Sequence, residues 1–382
     1  MNKILVFYDH FTPAWKAGGP IRSLEELLRK LSSKFNFLLI CSGYDYNEDH
    51  GLIHIEFNKW TNWENHAQVL YNKENTTHLK TYKKWIYESC PDKVYINGLF
   101  SLYYNILPLL AAIRSTKTKT NLQIIVAPRG MLHPAALKQK WVKKKLYLTF
   151  FKVFGLPKKI HWHATDSQEA EYIRSQFGNV KISIASNFPN YFEFLKSPSK
   201  EKGSLILGTI ALISPMKNHL EVLKSLKTIP YNITWHIFGP VKDTSYWKDC
   251  ESFIRTLPEN IKVEVHGPVT PNAVSEALEK IQVFILPSKS ENFGHAILEA
   301  LSAGKPVITT DTTPFTDLTE KQAGITIPIH TLSQSLSSSI RQFADMSQHE
   351  LETFQISARN YALSRFDTAS LIQDYERLFT SQ

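Results

Sequence analysis

The sequence predicts an α/β protein built from two doubly wound parallel-sheet domains. Three observations predict it. Short apolar runs rich in β-branched residues alternate with helical patterns from end to end. The runs are nearly continuous in apolar residues, as in Val283-Phe284-Ile285-Leu286, the pattern of parallel strands covered on both faces. The chain has 382 residues, more than one ordinary core of about 100–200 holds, and a polar, turn-rich stretch runs from Lys196 to Ser204.

Taken in order, strands fit at Ile4–Tyr8, Phe37–Cys41, Val94–Asn97, Ile124–Ala127 and Ile182–Ala185. Helical patterns lie between them at Ile21–Leu31, Thr77–Glu88, Tyr104–Arg114, Leu137–Phe151 and Gln168–Gln176. Asp166-Ser167-Gln168-Glu169 reads as a capping box opening the last of these. The second half repeats the scheme. Its strands fit at Leu205–Ile210, Thr234–Phe238, Lys262–Val265, Val283–Leu286, Val307–Thr309 and Ile325–Ile327, and its helices at Asn218–Lys227, Trp247–Leu257, Asn272–Lys280 and Ala296–Ser302. The reading divides the chain at 1–197 and 198–365, leaving 366–382 as a periodic helix that packs back on a domain, the N-terminal one among the options. Two such sheets would bind ligands in a cleft at the carboxyl ends of their strands.

Composition narrows the class. Hydrophobic residues make up 43% and charged residues 21%, which excludes a disordered or collagen-like chain. Cys41, Cys90 and Cys250 are far apart, so neither a disulfide framework nor a CxxC zinc site is visible, and they fit a reducing compartment. The start, Lys3 to Tyr8, runs at once into Asp9-His10; it is too short for a signal core and reads as the first strand of a cytoplasmic protein. No apolar run reaches the roughly 18 residues of a spanning helix.

The net charge of +9 is unevenly spread. From Lys93 to Thr165 there is no Asp or Glu, while Arg114, Lys117, Lys119 and Arg129 accumulate. Within this stretch Lys138–Lys159 mixes lysines with Trp141, Leu146, Phe150, Phe151 and Phe154. Such a helix can lie on an anionic membrane surface at the inner face of the cell membrane, or face the core behind a solvated lysine side. No zinc-finger spacing or RNA-recognition signature accompanies it, so nucleic acid is not an expected partner.

The sharpest motif runs from Ser290 to Ile308. A buried strand ends at Leu286, a turn follows, and a helix begins near Phe293-Gly294. Amides at a helix start favour an anion, and Gly294 lets a ligand approach the backbone. Glu291 stands just before the helix and Glu299 two turns along it, so carboxylates are placed to accept from hydroxyl groups at both ends of an extended ligand. The whole string resembles the Glu-x7-Glu motif of retaining glycosyltransferases of family 4, which have the two-domain GT-B fold. The resemblance implies that Glu299 holds the nucleotide ribose, that Glu291 contacts the donor sugar, and that the amides of Asn292, Phe293, Gly294 and His295 meet the diphosphate.

Three further segments are similar to the same family. Ala17-Gly18-Gly19-Pro20 matches its Gly-Gly turn after the first strand, which places Gly19 beside the donor phosphates. Gly208 to Asn218 matches its strand-loop ending in Ser-Pro-x-Lys, where an Arg and a Lys neutralise the leaving diphosphate. Lys217 is in place, but Leu212 occupies the Arg position; Arg22 or Arg129 is the candidate replacement. Ala127 to Pro134 resembles a segment of bacterial polysaccharide-assembly members, which puts Arg129 and His133 on the acceptor side. His161 and His163, on or beside a strand, have no metal-ligand spacing.

The resemblance implies a glycosyltransferase that moves a sugar with retention from a nucleoside-diphosphate sugar to a saccharide acceptor, lipid-linked, in surface polysaccharide assembly. UDP is the commonest carrier in the family and GDP the alternative. Lys217 and Glu291 are the catalytic candidates. No Asp-x-Asp motif is present and no metal or cofactor is expected. The front-face mechanism of the family needs no enzyme nucleophile. A GT-B epimerase or phosphorylase, and a non-catalytic sugar-nucleotide-binding subunit marked by Leu212, are the alternatives. A dinucleotide-dependent oxidoreductase is disfavoured because no GxGxxG follows a strand.

Overall fold

The computed structural model describes residues 1–74, 77–116, 121–138 and 140–381. Two compact units emerge: Met1–Phe188 together with Asp367–Gln382, and Pro189–Phe366. Lys117, Lys119 and, within the basic aromatic segment, Gln139 lie outside the described residues.

The first unit is built on β1 (Lys3–Phe7), β2 (Asn36–Ser42), β3 (Trp60–Trp63), β4 (Ala67–Asn72), β5 (Lys93–Asn97), β6 (Gln123–Ala127), β7 (His161–Ala164) and β8 (Ile182–Ile184). They lie in the order β3-β4-β2-β1-β5-β6-β7-β8, and every neighbouring pair but β3 and β4 runs parallel. Helices cover both faces, and Leu5, Phe7, Val94, Ile96 and Trp162 are buried in one continuous core. The second unit holds β9 (Ser204–Ile210), β10 (Asn232–Phe238), β11 (Ile261–Gly267), β12 (Val283–Leu286), β13 (Val307–Thr310) and β14 (Gly324–Ile327). This sheet is parallel throughout, in the order β11-β10-β9-β12-β13-β14. In each sheet the strand order reverses once, between β1 and β5 and between β9 and β12. Loops leaving the carboxyl ends of such a pair diverge and open a crevice.

Several elements differ from the sequence reading. The hairpin of β3 and β4 was not expected. Its turn places Glu64 and Asn65 at positive φ (45° and 59°), closed by the His66 N–H donating to the Trp63 carbonyl at 2.8 Å. Glu-Asn is a weak turn signal beside Asn-Gly, and Trp60-Thr61-Asn62-Trp63 is too polar to read as a strand. The expected helix Leu137–Phe151 is two helices, Pro134–Lys138 and Trp141–Val153, with Lys140 left-handed between them (φ 51°). The second buries only Leu148 and Phe151 and leaves Trp141, Val142, Leu146, Phe150 and Val153 exposed.

The second unit also contains two helices the periodicity did not reveal, Leu332–Asp345 and Gln348–Ser364. Five serines between Ser333 and Ser339 give the first a loop-like composition. Ser347 and Glu350 form the capping box of the second.

This unit starts at Pro189, ahead of the stretch read as a linker. The Phe192 N–H donates to Ser302 Oγ at 2.9 Å and the Leu195 N–H to the Ala303 carbonyl at 3.0 Å. Lys305, fully buried, donates to the carbonyls of Leu195 and Lys196 and to Ser197 Oγ at 2.6 Å. Backbone tied down in this way is part of a unit rather than a free connection. The last helix, Thr368–Thr380, belongs to the first unit: Phe379 packs edge-on against Phe35 and Tyr95, and Tyr375 stacks on Phe188 at 5.1 Å.

Candidate functional site

The strand reversal of the second unit gathers the residues that the sequence singles out there. β9 ends at Ile210, and its loop passes Leu212, half-buried, before the short turn Pro215–Lys217. Asn218 takes a left-handed conformation (φ 59°), which asparagine tolerates, and its buried Nδ2 donates to the Pro287 carbonyl at 2.8 Å. The Lys289 N–H donates to the Met216 carbonyl at 2.8 Å. These two bonds join the loop after β9 to the loop after β12. Thr310, the last residue of β13, and Thr312, just beyond it, both donate to the Ser288 carbonyl and bring in a third loop.

On this frame Lys217 Nζ forms an ion pair with Glu291 Oε1, and Ser288 Oγ donates to the same oxygen at 2.7 Å. Both side chains are mostly shielded, at 18% and 13% exposure. The helix His295–Ser302 follows at once. Its N-cap is Gly294, left-handed at φ 75° and ψ 47°, which has no side chain to cap the first turn. A β-carbon at Gly294 would meet the Phe315 ring at 2.9 Å, so glycine is required by both conformation and space. The helix carries no acidic residue in its first turn. Its amino end therefore presents amide donors and the positive end of the dipole. Glu299 lies on the same helix, 9% exposed, and its Oε1 accepts from Asn190 Nδ2 at 3.3 Å.

These positions include Lys217, Glu291, Asn292, Phe293, Gly294, His295 and Glu299, all in one unit. Residues 190–360 match the model of the family described as glycosyl transferases group 1. The sequence matches no curated protein. Among solved structures, sucrose-phosphate synthase from Thermosynechococcus elongatus is 15% identical over the whole of both chains, with a TM-score of 0.75. Anabaena Alr3699/HepE, solved in complex with UDP and glucose, is 17% identical over the whole of both chains, with a TM-score of 0.72. WaaG, a glycosyltransferase involved in lipopolysaccharide biosynthesis, is 14% identical over the whole of both chains, with a TM-score of 0.68. The fold is GT-B.

One residue of this GT-B unit went unnoticed in the sequence. His219, beside Lys217, is 1% exposed and stacks on Trp235, and neither ring nitrogen has a hydrogen-bond partner among the described residues. Burial, reinforced by the Lys217 charge, holds its pKa down at about 4.

In the first unit, Gly18 carries the conformation only glycine accepts freely (φ 75°, ψ −138°), and the helix begins at Gly19 without a side-chain cap. Arg22, on that helix, lies 3.5 Å from Glu25. Arg129, after β6, is left-handed at φ 53°, a strained setting for a non-glycine residue. Its Nε donates to Asn97 Oδ1 at 2.9 Å, its Nη2 to the Tyr95 hydroxyl at 2.8 Å and its Nη1 to Asn187 Oδ1. Burial works against the charge, but Tyr95, Tyr375 and Glu169 outweigh it and raise the pKa.

The same network takes up His163, whose Nδ1 faces the Tyr95 hydroxyl and whose Nε2 faces the Ala185 carbonyl, both at 2.8 Å. Burial and the Arg129 charge hold its pKa at about 3. His161 faces Ser183 Oγ at 2.8 Å. The expected capping box at Asp166 is only half formed. Asp166 accepts from the Glu169 N–H at 2.7 Å, but the Glu169 carboxylate turns away to the Thr165 N–H and hydroxyl and to the Gly130 N–H. That carboxylate braces the Arg129-Gly130 turn instead. His133 packs edge-on against Tyr172, and burial lowers its pKa. Asp9, read only as the end of a strand, accepts from Ser101 Oγ, and burial pushes its carboxyl above the usual range.

Proposed function

We propose that the protein is a retaining glycosyltransferase of family 4 that transfers a sugar from a nucleoside-diphosphate sugar to a saccharide acceptor. One observation carries the reading. Lys217 and Glu291 meet in the crevice of a group 1 glycosyltransferase segment, at the mouth of a helix whose amino end has a glycine cap. As the glycosidic bond to the leaving group breaks, negative charge grows on the diphosphate. A fixed ammonium and helix-end amides stabilise that charge without reorganising. Glu291 stays within reach of the donor sugar, and Glu299 accepts from the ribose hydroxyls. The leaving phosphate oxygen takes the proton of the acceptor hydroxyl as the new bond forms on the same face. No enzyme nucleophile and no metal is assigned.

In this reading UDP is the carrier, with GDP the alternative, and Gly19 serves the donor phosphates. Arg129 and His133 act on the acceptor side, Arg129 with three donors already committed and its charge left to offer. Anabaena Alr3699/HepE in complex with UDP supports the choice of base diphosphate. We assign a lipid-linked acceptor in polysaccharide assembly and a cytoplasmic, membrane-peripheral location. The support is the exposed row of Leu146, Phe150 and Val153, with exposed Trp141 opening the same lysine-bearing helix. No helix among the described residues is long and apolar enough to cross a membrane.

Calorimetric titration with UDP, GDP and NAD, each with EDTA, tests the donor site. Selective binding of one nucleoside diphosphate is the expected outcome. Binding of none removes the reading, whereas binding without sugar transfer or donor hydrolysis leaves the second one, a non-catalytic sugar-nucleotide-binding subunit, which Leu212 in place of an arginine favours.

A further inference from the structure

A second constellation of ligating side chains lies on the edge of the second unit's sheet, on residues that sugar transfer does not use. His236 Nδ1, His266 Nε2 and Glu264 Oε2 form a triangle with edges of 2.9, 3.3 and 3.8 Å. The fold brings them together by simple rules. Parallel register sets Glu264 on β11 opposite His236 on β10. The two-residue period of a strand puts His266 on the same face as Glu264. A bulge pairs Ile237 with Val265 and Phe238 with Gly267, so His266 has no opposite residue and is free to turn towards the other two.

The rings are also held. Phe238 stacks on His266 with centroids 4.4 Å apart and planes at 14°, and lies 6.2 Å from His236 at 27°. Lys262 pairs with Glu264 Oε1, which leaves Oε2 for the histidines. A tetrahedral cation with ligands at 2.0–2.1 Å has ligand–ligand edges of about 3.3 Å, and the observed edges straddle that value. Two imidazoles and one carboxylate suit zinc and its neighbours; magnesium and calcium take all-oxygen sets.

We propose that His236, Glu264 and His266 bind one zinc-class divalent cation. His266 is exposed and Glu264 half-exposed, so the fourth position opens to solvent. The cation cross-links β11, the edge strand, to β10. The inference does not depend on the glycosyltransferase reading.

The test is calorimetric titration of the full chain with ZnCl2 after EDTA dialysis, beside H266A and E264Q. The expected result is a one-to-one site in the wild type whose affinity falls at least roughly tenfold in each variant. Zinc also raises the Tm of the wild type and not of H266A, and magnesium raises neither. K262Q tightens zinc binding by removing a competing positive charge. Should H266A melt early without metal, the near-isosteric E264Q decides. Absence of zinc binding, or equal affinity in wild type and E264Q, overturns the proposal and leaves a proton-bridged surface cluster.

Discussion

In the proposed transfer the ammonium of Lys217 has to stand where the diphosphate charge develops, and the ion pair with Glu291 fixes its position in the crevice. Exchanging that partner for a phosphate is the step a bound donor must drive. Lys217→Ala is therefore expected to lower kcat by roughly 10²–10³-fold while donor affinity falls much less. Equal losses in both would show an anchoring role alone. Glu299→Ala is expected to weaken nucleotide binding by roughly 10–100-fold, since it removes a charged acceptor, and unchanged affinity by calorimetry would contradict this. Leu212 leaves its loop one cation short of the Ser-Pro-x-Lys pattern it resembles. Leu212→Arg should raise kcat, and a kcat that stays put would show that another residue supplies the charge. At this scale the two carboxylates proposed for the donor stand out in the sequence because one turn and one helix carry Glu291 to Glu299, whereas Lys217 comes from a separate loop. The network of Arg129 was not, because Tyr95, Asn97, His163, Glu169, Asn187 and Tyr375 come from scattered segments that no local pattern links.

The element that departs furthest from ordinary packing is the helix Trp141–Val153. It buries Leu148 and Phe151 and exposes Leu146 at 68%, Phe150 at 52% and Val153 at 76%. Its lysines flank this apolar row, and Lys144 Nζ turns back to the Ala136 carbonyl at 2.6 Å. The core-facing reading accounts for Leu148 and Phe151 and leaves an exposed apolar row that the proposed membrane contact would cover. Co-sedimentation with anionic vesicles is expected, falling with salt and lost in the L146Q/F150Q double variant. Binding that ignores salt and survives the double substitution would exclude this surface. Strands rich in β-branched residues were read well in both units. The helices Leu332–Asp345 and Gln348–Ser364 were not, because serines hide the amphipathic period of the first, and the second betrays itself only through its capping box.

Among the described residues, three buried histidines whose pKa values lie well below the ordinary one add to the loss of stability in acid. His161 is held at about 4 by burial and the charges of Lys181 and Lys93, His163 at about 3 and His219 at about 4. Each folded value lies below the ordinary 6.5, so the unfolded chain takes up protons first as pH falls. Stability present above pH 6.5 is then lost at up to about 1.4 kcal/mol per pH unit for each histidine, down to the folded value. Scanning calorimetry between pH 7 and pH 5 should show Tm falling, and His219→Leu should flatten the fall for the second unit. A Tm indifferent to pH would refute the assignment.

The chain leaves the first unit at Phe188 and re-enters it at Asp367. The second unit is thus continuous in sequence and the first is not. During synthesis all the strands of the second unit are made before the helix Thr368–Thr380 that covers the first unit's core, because Tyr375 and Phe379 follow them in the chain. The second unit is therefore expected to complete its core ahead of the first, the reverse of the usual amino-terminal-first order. A stop codon a few residues after Phe366 would spare the second unit and leave Phe35, Phe37 and Tyr95 without their covering helix.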